Sequence, residues 1–137
     1  MDVSYKERNE RHRKVGRLLL TGVPGWLTDA ILNSVGQSPP DGLSSIRCFV
    51  QRGASFDQAA FCRKHPLDLE IVYGDLRDPD SLSAAVRGVD TVLHSAAIRH
   101  VRHTREWYAI NSDGTRALAE AAAGSGVGRL VFISSNA

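Results

Sequence analysis

Near its start the sequence reads Arg17-Leu18-Leu19-Leu20-Thr21-Gly22-Val23-Pro24-Gly25, a short apolar run that ends in two glycines three residues apart. An apolar run of this length bounded by glycine is typical of a buried strand followed by a tight turn. Over residues 25–35, apolar side chains stand at positions 27, 30, 31 and 35, which is helical spacing. Gly36 is the expected end of that helix. The glycine turn therefore joins a strand to a helix.

The same alternation continues along the rest of the chain. Further strands are predicted over 46–50, 69–73, 91–94 and 130–134, and further helices over 56–64, 79–86 and 104–123. Strands that alternate with helices form a parallel sheet covered on both faces, and right-handed crossovers make that sheet doubly wound. We therefore predict an α/β, Rossmann-type fold with five parallel strands in the order 3-2-1-4-5.

Length and composition fit one domain. The chain has 137 residues, of which 42% are apolar and 23% charged, so we interpret residues 1–16 as a basic lead-in and residues 17–137 as the domain. The net charge of +2 is too small to indicate a nucleic acid partner. No apolar run approaches the roughly 18 residues of a membrane span. Two cysteines without CxxC spacing, and no signal-peptide pattern, favour reduced thiols in the cytoplasm.

The glycine turn is a candidate phosphate site. Glycine lets the backbone approach a pyrophosphate, and the start of the following helix offers N–H groups and partial positive charge. Two residues depart from a typical three-glycine turn. Pro24 has no N–H to donate. Thr28 stands where a third glycine would allow close packing, so we expect it to push the helix outward or to fill part of the phosphate site. A turn without a ligand is the alternative interpretation.

The end of the second strand bears on the choice of cofactor. An acidic residue there would bind the ribose of NAD, but the sequence Val50-Gln51-Arg52-Gly53 contains none. Arg52 can instead pair with a 2′-phosphate, which weakly favours NADP over NAD. A solvated surface arginine is the alternative.

Five motifs in order resemble the N-terminal part of the extended short-chain dehydrogenase/reductases, also called the NAD-dependent epimerase/dehydratase family. They are Thr21–Thr28 (TGxxGxxG with Thr28 in place of the last glycine), Gly74–Asp78, Gly88–Ala97, Asn111–Thr115 and Val131–Ser135. The resemblance implies an NAD(P)-binding oxidoreductase, epimerase or dehydratase that transfers hydride at a carbinol or ketone carbon. With Arg52, the predicted cofactor-binding residues are Gly22, Val23, Pro24, Gly25, Trp26, Leu27, Asp75, Leu76, Ser95, Ala96, Ala97 and Asn111.

The last motif resembles the strand that presents the family's catalytic serine or threonine. It favours Ser135 as a catalytic residue, with Ser134 as the alternative. A second interpretation is that both serines simply end the strand and have no catalytic role. The family's catalytic Tyr-x-x-x-Lys is absent, because none of the three tyrosines has a lysine four residues later. We therefore expect these 137 residues to be an inactive fragment of a longer enzyme. A non-catalytic NAD(P)- or nucleotide-binding or interaction module is the alternative.

The segment Arg99–Arg105 is basic. It is either a contact for a phosphate or carboxylate of the substrate, or a solvated loop. His94, His100 and His103 have no cysteine or carboxylate at ligand spacing, so no metal is predicted. The expected partners are a small-molecule substrate and, through the open edge of the fifth strand, a second copy of the chain. Neither nucleic acid nor a membrane is expected.

Overall fold

The computed structural model describes residues 7, 9–10, 14–100 and 102–134. Most of the predicted basic lead-in lies outside them. The elements are β1 (Gly16–Val23), α1 (Trp26–Gln37), β2 (Leu43–Gln51), α2 (Gln58–Lys64), β3 (Leu69–Gly74), α3 (Pro79–Val86), β4 (Thr91–His94), α4 (Thr104–Tyr108), a π-helical turn (Ala109–Asp113), α5 (Gly114–Gly124) and β5 (Arg129–Phe132).

The five strands form one parallel sheet in the order β3-β2-β1-β4-β5. This confirms the predicted fold and strand order. The chain moves outward from β1 to β2 and β3, then returns to place β4 on the other side of β1. The strand order therefore reverses between β1 and β4, and in sheets of this kind ligands bind at that point, outside the carboxyl ends of the strands.

Apolar side chains fill both faces of the sheet. Leu19 and Val92 belong to one cluster, with residues of α3 and α5, while Leu18 and Leu20 belong to the other, with residues of α1 and α2. Successive residues of β1 point to opposite faces, so a continuous apolar run is what a strand covered on both sides requires. The packing on both sides fixes the position of the turn that follows β1.

Some predicted helix and strand ends are wrong. Helix α1 continues past Gly36 to Gln37, and Pro39 and Pro40 then prevent further helix. Helix α2 begins at Gln58 and not at residue 56, because the Asp57 side chain accepts a hydrogen bond from the Ala60 N–H at 3.0 Å and caps it. Strand β5 ends at Phe132, two residues before the predicted end.

No helix among residues 7, 9–10, 14–100 and 102–134 is both long enough and apolar enough to cross a membrane. Cys48 and Cys62 are both free thiols.

Candidate functional site

The turn after β1 requires glycine at two positions. Gly22 has a φ of +84°, which favours glycine, and a Cβ placed there would lie 2.6 Å from Ser95 Oγ. A Cβ on Gly25 would lie 2.6 Å from the Gly22 carbonyl oxygen, a backbone atom. Between them the Val23–Pro24 peptide is cis. A larger residue at Gly22 would therefore collide with the loop after β4, and a larger residue at Gly25 would collide with the backbone of the turn itself.

Helix α1 starts directly at this turn without a side-chain cap. Gly25 is the N-cap residue of α1. It has no side chain that could accept a hydrogen bond from the first N–H groups of the helix. Trp26 is 74% exposed, Leu27 is half-buried and Pro24 is exposed, whereas Val23 is buried in the core. The uncapped N–H groups and the positive end of the helix dipole make this turn suitable for an anion.

Thr28 lies inside the turn. Its side chain is 1% exposed, and Oγ1 lies 3.0 Å from the carbonyl oxygens of both Gly22 and Gly25, so that its one hydrogen is shared between them in a three-centre hydrogen bond. The Thr28 side chain is therefore buried beneath the turn and bonded to its backbone, and the expectation that it fills part of the phosphate site stays a prediction. The hydroxyl joins the first turn of α1 to the glycine turn, and the expected outward shift of the helix also stays a prediction.

A buried hydrogen-bond network connects the end of β1 to β4 and to α5. Thr21 Oγ1 lies 2.7 Å from His94 Nδ1, and His94 Nε2 lies 2.9 Å from Thr115 Oγ1. The backbone N–H groups of Ser95 and Ala96 both donate to Thr21 Oγ1 at 3.1 Å, and Ser95 Oγ donates to the Thr21 carbonyl at 2.8 Å. The predicted cofactor residues Ser95 and Ala96 are thereby held beside the glycine turn.

The same network assigns the protonation of His94. Thr115 Oγ1 donates to the Asn111 carbonyl at 2.7 Å, so it must accept a hydrogen bond from the His94 Nε2–H. Thr21 accepts two backbone N–H groups and therefore donates its one hydrogen to His94 Nδ1. His94 is a neutral imidazole with 0% exposure, and burial lowers its pKa to about 4 from 6.5.

Asn111 shapes the loop after β4. Its amide oxygen accepts from the Ile98 N–H and its amide nitrogen donates to the Ile98 carbonyl, both at 2.9 Å. Asn111 stands in the π-helical turn, a feature that is frequent at functional sites. Ala97, exposed, lies in the loop that this pair of bonds holds. Contact of Asn111 and Ala97 with the cofactor stays a prediction.

Asp75 follows β3 and is held by two neighbours. Arg77 donates to both carboxylate oxygens, at 2.9 and 2.7 Å, and Gln51 Nε2 donates to Oδ2 at 2.9 Å. The hydrogen bonds from Arg77 hold the pKa of Asp75 well below its ordinary value. Leu76, also predicted to contact cofactor, is 3% exposed and packs in the core. Only a small part of the Leu76 side chain is therefore accessible for contact with a cofactor.

Arg52 follows β2 and is exposed. Its guanidinium lies 3.4 Å from Asp78 Oδ2 in a weak ion pair. The backbone N–H of Arg52 donates to the Gly74 carbonyl at 2.7 Å. The side chain is thus free to exchange one anionic partner for another. Its proposed pairing with a 2′-phosphate remains untested.

Ser134 is exposed just after β5, near the carboxyl end of that strand. Ser135, the preferred catalytic residue, lies outside the described residues. The structure therefore leaves the choice between the two serines as a prediction.

Part of the basic segment faces Arg77 across a cleft of about 580 Å³, which Arg77, His103, Arg105, Glu106 and Ala109 line. The presence of Glu106 among the arginines leaves both interpretations of this segment open. Over the described ranges, no group of three or more histidine, cysteine or acidic side chains is placed to hold a metal ion.

The residues present fit a dinucleotide. The glycine turn, the uncapped helix start and the loop after β4 meet at the reversal of strand order, where a pyrophosphate is expected. Three participants were not predicted as site residues: Thr21, Thr115 and Gln51. Thr21 and Thr115 stand inside the quoted motifs, but only the structure shows that their hydroxyls bond to His94.

The sequence profile of the 3-beta hydroxysteroid dehydrogenase/isomerase family matches residues 19–137. A 3 beta-hydroxysteroid dehydrogenase/Delta 5-->4-isomerase of Mycobacterium tuberculosis is 33% identical in an alignment of length 135 that covers 90% of this chain and 32% of that protein. The ceramide reductase of Caulobacter vibrioides is 31% identical over 88% of this chain and 35% of its own length. The chain spans about a third of the length of the curated relatives it matches.

Solved structures agree with this similarity. Pen from Bacillus thuringiensis superposes with a TM-score of 0.77 at 29% identity, covering 90% of this chain and 38% of that one. A mutant uronate dehydrogenase from Agrobacterium tumefaciens complexed with NAD has a TM-score of 0.69 at 28% identity, with 88% and 41% covered.

Proposed function

Because the chain belongs to the 3-beta hydroxysteroid dehydrogenase/isomerase family, we propose that it is the NAD(P)-binding portion of an oxidoreductase or epimerase that transfers hydride at a carbinol or ketone carbon. Its membership agrees with the resemblance to the extended short-chain dehydrogenase/reductases. The observation that carries the proposal is the glycine turn, with its uncapped helix start, at the point where the strand order reverses. A cytoplasmic location is part of the same proposal.

The chain's own residues have distinct tasks in this proposal. The turn from Gly22 to Leu27 receives the pyrophosphate on backbone N–H groups and the helix dipole. Asp75, oriented by Arg77, accepts from the adenine amino group. The loop from Ser95 to Ala97, held by Thr21 and Asn111, borders the nicotinamide ribose. When bound, the nicotinamide supplies the hydride acceptor or donor.

We also propose that NADP is preferred over NAD. Arg52 is the exposed cation at the end of β2, and within the part of the chain that the structure describes its guanidinium is in a long ion pair with Asp78, at 3.4 Å. A 2′-phosphate carries more charge than a carboxylate and matches a guanidinium well.

The acid–base step is assigned to residues beyond this chain. General acid–base help contributes roughly 10² to 10⁴-fold, and the sequence has no Tyr-x-x-x-Lys to provide it. Ser135 is proposed to hydrogen-bond the substrate oxygen. A longer reading frame that carries Tyr-x-x-x-Lys after residue 137 would support a catalytic parent. A longer frame without it would favour the non-catalytic module.

Isothermal titration of the folded chain with NADH and with NADPH tests the proposal. The wild type is expected to bind at least one of them. Gly25→Ala is expected to weaken binding at least about tenfold, because the new Cβ meets the Gly22 carbonyl. Gly36→Ala is the matched control, since a Cβ at Gly36, in the same helix, meets nothing within 4 Å. A folded wild type that binds neither cofactor would refute the proposal.

A further inference from the structure

We propose that Thr28 is a positioning residue that holds the glycine turn in the shape required for a pyrophosphate. The inference rests on the proposed NAD(P) function. Its basis is the three-centre hydrogen bond from Thr28 Oγ1 to the carbonyl oxygens of Gly22 and Gly25, each at 3.0 Å, made by a side chain that is 1% exposed. A glycine at this position would not form this bond.

The Thr28 hydroxyl contacts the two glycines of the turn. Gly22 and Gly25 have no side chains to limit their backbone angles, so the turn has many conformations open to it. Thr28 is in the first turns of α1, whose packing fixes its position. One hydroxyl therefore binds the two glycines of the turn to a rigid element.

The direction of the two carbonyl groups determines what the turn can bind. Both oxygens accept from a buried hydroxyl, so both point into the protein. A carbonyl oxygen that rotated outward would present negative charge to a phosphate. Because Pro24 has no N–H, the turn has fewer donors to offset such a rotation. The Gly25 carbonyl also accepts from the Asp29 backbone N–H at 2.9 Å, so the Thr28 hydroxyl matters most for the Gly22 carbonyl, which it keeps turned away from the phosphate side of the turn.

The consequence is a turn that is organised before the cofactor arrives. Ordering a loop on binding weakens affinity, and a loop that is already fixed avoids that loss. Thr28 stands where the typical motif has its third glycine, and it stabilises the turn through the hydrogen bonding of its hydroxyl.

The test compares NADH and NADPH titrations of the full chain for wild type, Thr28→Val, Thr28→Ser and Thr28→Gly. T28V keeps the shape and removes the hydroxyl, so affinity is expected to fall about tenfold. T28S keeps the hydroxyl and is expected to bind within about twofold of wild type. T28G restores the common glycine pattern and is expected to bind more weakly than wild type. Amide hydrogen exchange over residues 22–27 is expected to accelerate in T28V and T28G only.

Thermal melts of each variant identify a temperature at which all of them are folded, and the titrations are made at that temperature. This separates the positioning role from a general loss of stability. T28V binding equal to wild type, T28G binding tighter than wild type, or failure of T28S to retain affinity would overturn the inference while the proposed function stands. If T28V does not fold, the T28S and T28G titrations decide the matter. A wild type that binds neither cofactor overturns the proposed function, and the inference with it.

Discussion

His94 stands between two threonine hydroxyls, and each of its ring nitrogens has one partner. A proton on Nδ1 would face Thr21 Oγ1, whose acceptor positions are already taken by two backbone N–H groups. The folded protein therefore resists protonation of this ring, in agreement with the fall of the His94 pKa to about 4. The unfolded chain offers no such resistance.

This difference predicts acid sensitivity. Between pH 6.5 and 4 the unfolded state binds a proton at His94 that the folded state does not, so the free energy of unfolding falls as pH falls. From pH 7.5 to 5.5 the loss due to His94 is about 1.4 kcal/mol. Urea unfolding of wild type and His94→Gln at the two pH values measures it, with His103→Gln as the exposed control. An equal pH dependence in wild type and H94Q would contradict the prediction.

Arg52 gives a second prediction at the level of a single side chain. Arg52→Gln is expected to weaken NADPH binding about tenfold and to leave NADH binding within about twofold. Asp78→Asn is expected to tighten NADPH binding about threefold, because it removes the carboxylate that competes for Arg52 in an exposed pair. Asparagine retains the N-cap of α3. Titrations with both cofactors check this, and identical NADPH affinities across the three proteins would count against Arg52 as the phosphate ligand.

At the level of elements, the segment Asn111–Thr115 is explained by three contacts. Asn111 holds the loop after β4, Thr115 bonds to His94, and Gly114 allows α5 to approach the chain after β3. A Cβ on Gly114 would lie 2.8 Å from Leu76 Cβ. One short segment therefore positions two of the loops around the candidate site.

Gly114→Ala is expected to destabilise the fold by about 1–3 kcal/mol through overpacking, although alanine is the better helix former. Gly124→Ala, at the other end of α5, is the control, because a Cβ there meets nothing within 4 Å. Chemical denaturation of the two variants provides the comparison. A G114A protein as stable as wild type would mean that α5 moves away from Leu76 without cost.

The sequence predicted the elements and their order because alternation, glycine and proline are local signals. Its glycines predicted the turn as a candidate phosphate site, whereas the loops after β3 and β4 were assigned to the site only by the family resemblance. It could not predict what Thr28 contacts, since a β-branched residue in place of glycine suggests crowding until the hydroxyl's two acceptors are known. Arg47 is similar: it stands within an apolar strand, yet its guanidinium donates to the carbonyls of Ala85 and Arg87 at the end of α3. Such contacts join residues that are distant in sequence.

For the molecule as a whole, the candidate site lies at the centre of the sheet, and β5 forms one of the two edges of that sheet. Strand β5 pairs with β4, and no strand within the described ranges pairs with its other edge. Val131, Phe132 and Ile133 on or beside this strand are 40%, 48% and 42% exposed. An open strand edge with exposed apolar side chains favours association with another chain.

We therefore predict that the 137-residue polypeptide self-associates through β5. Light scattering across a wide range of concentration is expected to show a rise in mass above that of one chain. Val131→Lys places a charge on the edge strand and is expected to return the protein to a monomer, because burying an unpaired lysine in the contact with a second copy is costly. Ser83→Lys, on the exposed side of α3, adds the same charge elsewhere and is expected to leave association unchanged. A folded wild type that stays monomeric at the highest concentration would show that this edge is protected without a second copy.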